Sequence, residues 1–256
     1  MQRKLLASTA LTTSMTLITG AALAANLPLK APPAPAPAPF SWTGCYIGGN
    51  AGGAWTQIDD SVTTAPFFPI VTSESSGGDT SFTGGGQLGC NWQFNPSWIG
   101  GLEGDINYIH ASRTQHNNIL GRGGEDTVRT TSLRWLATVR GRFGYAWGPS
   151  FLYATGGLAL GGVNSSVTLT DTAGPPPPTI FAGSESTTRA GWTAGAGYEY
   201  RFNDRLSLKL EYLHFDLGDV HYNVLRVAPG TSSPWTSSAN VRGDIVRLGV
   251  NYKFTQ

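Results

Sequence analysis

Charge is scarce in this chain. Only 13% of its 256 residues are Asp, Glu, Lys or Arg, where a soluble domain carries roughly a quarter. A nucleic-acid footprint needs a basic stripe, and 17 basic residues set against 16 acidic ones form none. Cysteine occurs only at Cys45 and Cys90, too little for a thiolate metal site. No apolar run of about 18 residues follows the first two dozen, so no transmembrane helix is available there. Walker and G-x-S-x-G motifs are absent. The stretch from Gly84 to Gly89 formally matches G-x-G-x-x-G. That fingerprint needs a helix next, and Asn91 to Pro96 instead read as strand and turn. No catalytic residue, cofactor or metal is expected, and the chain is not read as an enzyme.

The N-terminus has the layout of an export signal. Arg3 and Lys4 precede an apolar stretch from Leu5 to Leu23, and Ala22-Leu23-Ala24 supplies a small-x-small cleavage site. Residues 1–24 are therefore expected to be a signal peptide. Without Arg3 and Lys4 the 17 basic residues fall to 15, and the mature chain is near neutral. Residues 25–41 read as a Pro/Ala-rich periplasmic linker, since proline lacks a ladder donor and favours an extended conformation. An exported chain with no spanning helix can cross a membrane only as a closed barrel, because lipid offers no partner to open backbone groups.

From residue 42 to 256 the sequence alternates with period two, in stretches long enough for the roughly 9–11 residues of a tilted spanning strand. Eight are expected, near 43–56, 80–94, 98–110, 132–147, 151–166, 188–202, 206–219 and 242–254. Tight turns at Asn95-Pro96-Ser97, Gly148-Pro149 and Asn203-Asp204 alternate with long loops at 57–79, 111–131, 167–187 and 220–241. The third loop carries Pro175 to Pro178, which no central strand tolerates. Short turns at one end and long loops at the other define the expected fold, an all-β, eight-stranded antiparallel up-and-down transmembrane β-barrel of a bacterial outer membrane.

Parity sorts the faces. Val246, Leu248, Val250, Tyr252 and Phe254 point to lipid in the last strand, and Leu133, Trp135, Val139, Phe143, Tyr145 and Trp147 do so in the fourth. Directly paired residues point the same way, so the short turns set register: Phe94 opposite Trp98, and Glu199 opposite Lys209. The same parity sends Glu103, Asp105, Glu199 and Glu211 into the lumen with Arg134, Arg140, Arg142, Arg201, Lys209 and Arg247. An eight-stranded interior is just wide enough for side chains to fill, so such charges must pair. Two uses are open to them, an ion-paired core or a narrow porin-like conduit for solutes.

Phe40 to Gly44 followed by Tyr46 to Gly52 resembles the first strand of the small outer-membrane β-barrel proteins of alphaproteobacteria. Gly84 to Gly89 with Asn91-Trp92-Gln93 resembles their second, and Glu211-Tyr212-Leu213 and Asn251 to Phe254 their last two. The resemblance spans Trp42 to Phe254. It implies the fold of the OmpA transmembrane domain, the outer membrane as location, and the names immunogenic or porin-like. It also implies outer-membrane lipid, lipopolysaccharide and the barrel-assembly machinery as contacts, with a host or cell-surface partner at the loops. Where the family commonly has aromatics this chain has Cys45 and Cys90. Both face lipid near the periplasmic ends of adjacent strands, in a compartment that permits a disulfide. The first loop hides the register that would decide it. His110, His116, His214 and His221 all fall at outer strand ends or in loops, where hemin or another surface ligand is one reading and chance placement on a polar rim the other. The function expected is a structural surface protein acting through its loops, with the narrow channel and surface ligand binding as alternatives.

Overall fold

The computed structural model describes residues 41–63, 75–117, 125–172, 176–228 and 235–254. The readings of residues 1–24 as a signal peptide and of most of 25–41 as a linker lie outside the described residues, as do the tips of the long loops. Eight strands follow one another: β1 (Gly44–Thr63), β2 (Ser75–Gln93), β3 (Trp98–Asn117), β4 (Glu125–Trp147), β5 (Ser150–Asp171), β6 (Thr179–Arg201), β7 (Leu206–Ala228) and β8 (Trp235–Lys253). Each pairs antiparallel with its sequence neighbours, and β1 with β8 closes the ring. This is the expected eight-stranded up-and-down barrel.

The short turns are shaped by their own side chains. Asn95 Oδ1 accepts hydrogen bonds from the backbone N–H groups of Ser97 at 3.0 Å and Trp98 at 2.9 Å. Asn203 does the same for Arg205 and Leu206, both at 2.9 Å. Such Asx turns fold the chain back without help from distant residues. Gly148, at φ +58°, takes the left-handed conformation its turn requires. Phe94 N donates to Trp98 O at 3.0 Å across the first of these turns, and Glu199 lies opposite Lys209 as parity requires.

The long loops are shorter than the sequence suggested. Most of 57–79, 111–131, 167–187 and 220–241 is strand, and β4 stays paired with β5 as far as Glu125↔Asp171. At roughly 3.3 Å per residue and a tilt near 40°, strands of this length stand about 50 Å high, twice the roughly 25 Å apolar band. The expected boundaries marked the membrane crossing. The Ser- and Thr-rich continuations keep alternating and stay hydrogen-bonded above it.

A second correction concerns parity. The β4–β5 register shifts between Leu133 and Trp135, and Arg134 is the extra residue. A β-bulge of this kind reverses which face every residue beyond it occupies. Leu133, expected on the lipid face, is buried inside, and Arg134, expected in the lumen, is exposed on the outside. Below the bulge the expected faces hold. Val139, Phe143, Tyr145 and Trp147 are exposed, as are Val246, Leu248, Val250, Tyr252 and Phe254.

Candidate functional site in the barrel lumen

The inward residues form stacked layers, and the middle one holds most of the charges, with Arg129 buried at inward parity farther out on β4. Glu103 accepts from Arg140 at 2.6 Å, from Lys209 at 2.8 and 2.9 Å, from Arg142 at 3.2 Å and from the Tyr46 hydroxyl at 2.5 Å. Asp105 accepts from Arg140 at 2.8 Å, Arg247 at 3.0 Å and Thr138 at 2.7 Å. Glu211 accepts from Arg247 at 2.6 Å and from the Tyr153 hydroxyl at 2.8 Å, with Arg140 at 3.2 Å. Glu199 accepts from Arg142 at 2.9 Å, Ser207 at 2.5 Å and Asn251 at 2.9 Å. Four carboxylates thus meet four cations, and the layer is neutral. Arg140 and Arg247 are each about 1% exposed and Lys209 not at all. Charges so deep persist only when hydrogen bonds replace the water they lost.

The structure therefore brings together eight of the ten charges that parity assigned to the lumen. Arg134 leaves through the bulge. Arg201 points inward but below the network, with its guanidinium 4.2 Å from the centre of the Trp42 ring and donating to Ser41 O at 2.6 Å. Two tyrosines complete the layer. Tyr46 and Tyr153 stand at inward parity opposite Gly89 and Gly197. A Cβ on either glycine would collide with the tyrosine ring, so each glycine makes the room that lets a tyrosine lean across and reach a carboxylate. An inward aromatic facing a glycine is a signal the sequence carried. Trp42 carried none, because it precedes the first strand and belongs to no alternation.

The charged layer is closed on its outer side by apolar packing and narrowed on its periplasmic side by an aromatic cluster, beside which Glu199, Arg201, Ser207 and Asn251 line a small recess. On the periplasmic side Trp42 packs with Ile99, Ala146, Phe151 and Tyr153. Its backbone N donates to Gln93 Oε1 at 2.9 Å, and its ring lies 5.3 Å from that of Phe151. On the other side Ile109, Leu133, Leu136, Leu213, Phe215 and Ile245 belong to one buried cluster, each at most 1% exposed. Leu133 is inside only because of the bulge.

Cys45 and Cys90 are direct cross-strand partners of β1 and β2 and are joined by a disulfide. The histidines stay apart. His110 Nδ1 lies 3.2 Å from the Tyr108 hydroxyl, His116 faces Asp126 at 3.4 Å, and His214 faces Asp244 at 3.0 Å. His221 is exposed on β7. Among the described residues no group of His, Cys, Asp and Glu is arranged to hold a metal ion.

A closed antiparallel ring with aromatic girdles outside and a charged, hydrogen-bonded interior defines an outer-membrane β-barrel. Residues 21–254 match the outer membrane protein beta-barrel domain, and the chain belongs to that family. It is 36% identical to the 31 kDa outer-membrane immunogenic protein of Brucella melitensis over 91% of this chain and 93% of the relative. It is 29% identical to the 22 kDa outer membrane protein of Rhizobium leguminosarum bv. viciae over 84% and 79%. Among solved structures, the outer membrane protease OmpT of Escherichia coli superposes with a TM-score of 0.50 over 84% of this chain and 98% of that one, at 10% identity. That likeness is one of fold alone. The protein is an outer-membrane protein, as its relatives are named.

Proposed function

We propose that this protein is a structural, non-conducting barrel of the outer membrane, with the hairpins beyond the bilayer as its contact surface. One observation carries the reading: the eight-charge network lies between the Trp42 and Phe151 cluster at the periplasmic mouth and the buried Leu133, Phe215 and Ile109 cluster on the outer side. An ion crossing this lumen would have to part a neutral network and then pass an apolar layer that offers it no ligand. The reading includes no reaction, since each lumen carboxylate is already taken up by cations and hydroxyls. That the Brucella relatives are named immunogenic supports exposure at the cell surface.

Single-channel recording of the folded protein in a planar bilayer tests it. The expected record is silent. Reproducible steps whose size or ion selectivity changes in Arg140→Gln or Glu103→Gln would overturn the reading and make the lumen a narrow channel.

A further inference from the structure

The short turns fix how β2 lies on β3, β4 on β5 and β6 on β7. The other consecutive pairs meet across longer connections, and β1–β2 has the longest, residues 64–74. Such pairs must find their register through the side chains that face each other. Three of them do. Glu103 opposes Arg140 between β3 and β4, with an ion pair of 2.6 Å. Leu152 opposes Tyr198 and Leu158 opposes Trp192 between β5 and β6. Glu211 opposes Arg247 between β7 and β8, again at 2.6 Å.

β1 and β2 are built differently. Each of the six opposed pairs from Gly48↔Gln87 to Gly53↔Phe82 contains a glycine. A glycine-rich pair specifies register weakly, and a slip of two residues keeps every side chain on its own face. Such a slip would nonetheless spoil the lumen. Tyr46 reaches Glu103 at 2.5 Å because it stands opposite Gly89, whose missing side chain leaves room for its ring. Two residues either way it would face Gln87 or Asn91. Both are already engaged in the interior, Gln87 with Asn251 at 2.5 Å and Asn91 with Arg142 at 2.8 Å.

The neighbouring rung holds the only two cysteines of the chain, directly opposed and bonded as Cys45–Cys90. Cys45 O also accepts the backbone N–H of Phe254 at 3.1 Å, so the end of the chain is laid against the same rung when the ring closes. We infer that this disulfide is a register lock. Formed before the ring closes, it sets β1 on β2 and thereby delivers Tyr46 to Glu103. The two thiols give two electrons and two protons to a periplasmic protein disulfide, which leaves as a dithiol. In the finished barrel both sulfurs lie on the lipid-facing wall, away from a soluble protein oxidant, so the bond precedes insertion.

Timing tests this. The wild-type chain is refolded into phosphatidylcholine vesicles either after oxidation, or reduced and oxidised only once folded. Free thiols are then counted by maleimide labelling and mass spectrometry on barrels with heat-modified gel mobility. Oxidised first, folded barrels should carry no free thiol. Oxidised last, about a fifth should keep both thiols, the share that one ordinary cross-strand pair leaves to a slipped register. Two reporters, folded reduced and then oxidised, show what those barrels are. In Cys45→Ser with Ile47→Cys, position 47 bridges to Cys90 after a slip in one direction. In Cys45→Ser, Cys90→Ser, Ile47→Cys and Gly86→Cys, positions 47 and 86 bridge after a slip in the other. In the observed register each of these pairs stands diagonally, roughly 7–8 Å apart, too far for a disulfide. A bridge is expected in at least one reporter. Complete bridging of the wild type after reduced folding, or no bridge in both reporters, overturns the proposal, because side chains would then set the register unaided. Every count is taken on the folded fraction, so a low folding yield does not blunt the test.

Discussion

Replacing Arg140 by methionine is the sharpest perturbation of the lumen. The methionine fills most of the aliphatic volume, so packing changes little and charge changes by one. Arg140 reaches Glu103 at 2.6 Å, Asp105 at 2.8 Å and Glu211 at 3.2 Å. Its loss leaves four buried carboxylates facing Arg142, Lys209 and Arg247. Breaking a buried pair by removing one partner costs about 3–5 kcal/mol, because the remaining charge stays out of water. Urea unfolding in phosphatidylcholine vesicles, followed by tryptophan fluorescence, measures the loss. A second variant separates charge from shape. Arg140→Met combined with Glu211→Gln restores balance at three carboxylates and three cations, and should recover at least about 1 kcal/mol through coupling of neighbouring sites. A loss below about 1 kcal/mol for Arg140→Met would refute the network as the core of the barrel. Strict additivity in the double variant would refute the claim that charge balance holds it together.

Two further outcomes test the bulge and the staple. In the same vesicles, Leu133→Ala should destabilise by about 2–5 kcal/mol and Arg134→Gln by less than about 0.5 kcal/mol. The reverse order would return Arg134 to the lumen. Cys45→Ala with Cys90→Ala, a bridge between residues 45 apart in sequence, should lower the urea midpoint by an equivalent of about 2–4 kcal/mol, and reducing agent should do the same to the wild type but not to the variant.

Much of this molecule is decided locally. Alternation is a property of neighbouring residues, so Val246 to Phe254 show their lipid face without reference to any other strand. Asn95 and Asn203 shape their turns with their own side chains, and a tight turn passes register to the strands it joins. That is why Glu199 opposite Lys209, and the inward parity of Glu103, Asp105, Arg140 and Arg142, were legible in advance.

The remainder depended on strands meeting through long connections. Whether Cys45 meets Cys90 is set by how β1 and β2 align beyond a loop that leaves many registers open, and no residue in that loop encodes the answer alone. Arg134 is a clearer case. Its own strand reads as unbroken alternation, and only the pairing of β4 with both β3 and β5 inserts the bulge that reverses Leu133 and Arg134. How far the strands extend above the membrane is likewise a matter of partners, because a Ser/Thr-rich segment is strand when a neighbour completes its hydrogen bonds. The closure by Trp42 needed the finished mouth of the barrel, with Gln93, Phe151 and Arg201 brought together from three separate strands. Faces and tight turns are short-range and were written in the sequence; bulges, strand ends and the seal are products of long-range pairing, and only the closed barrel decided them.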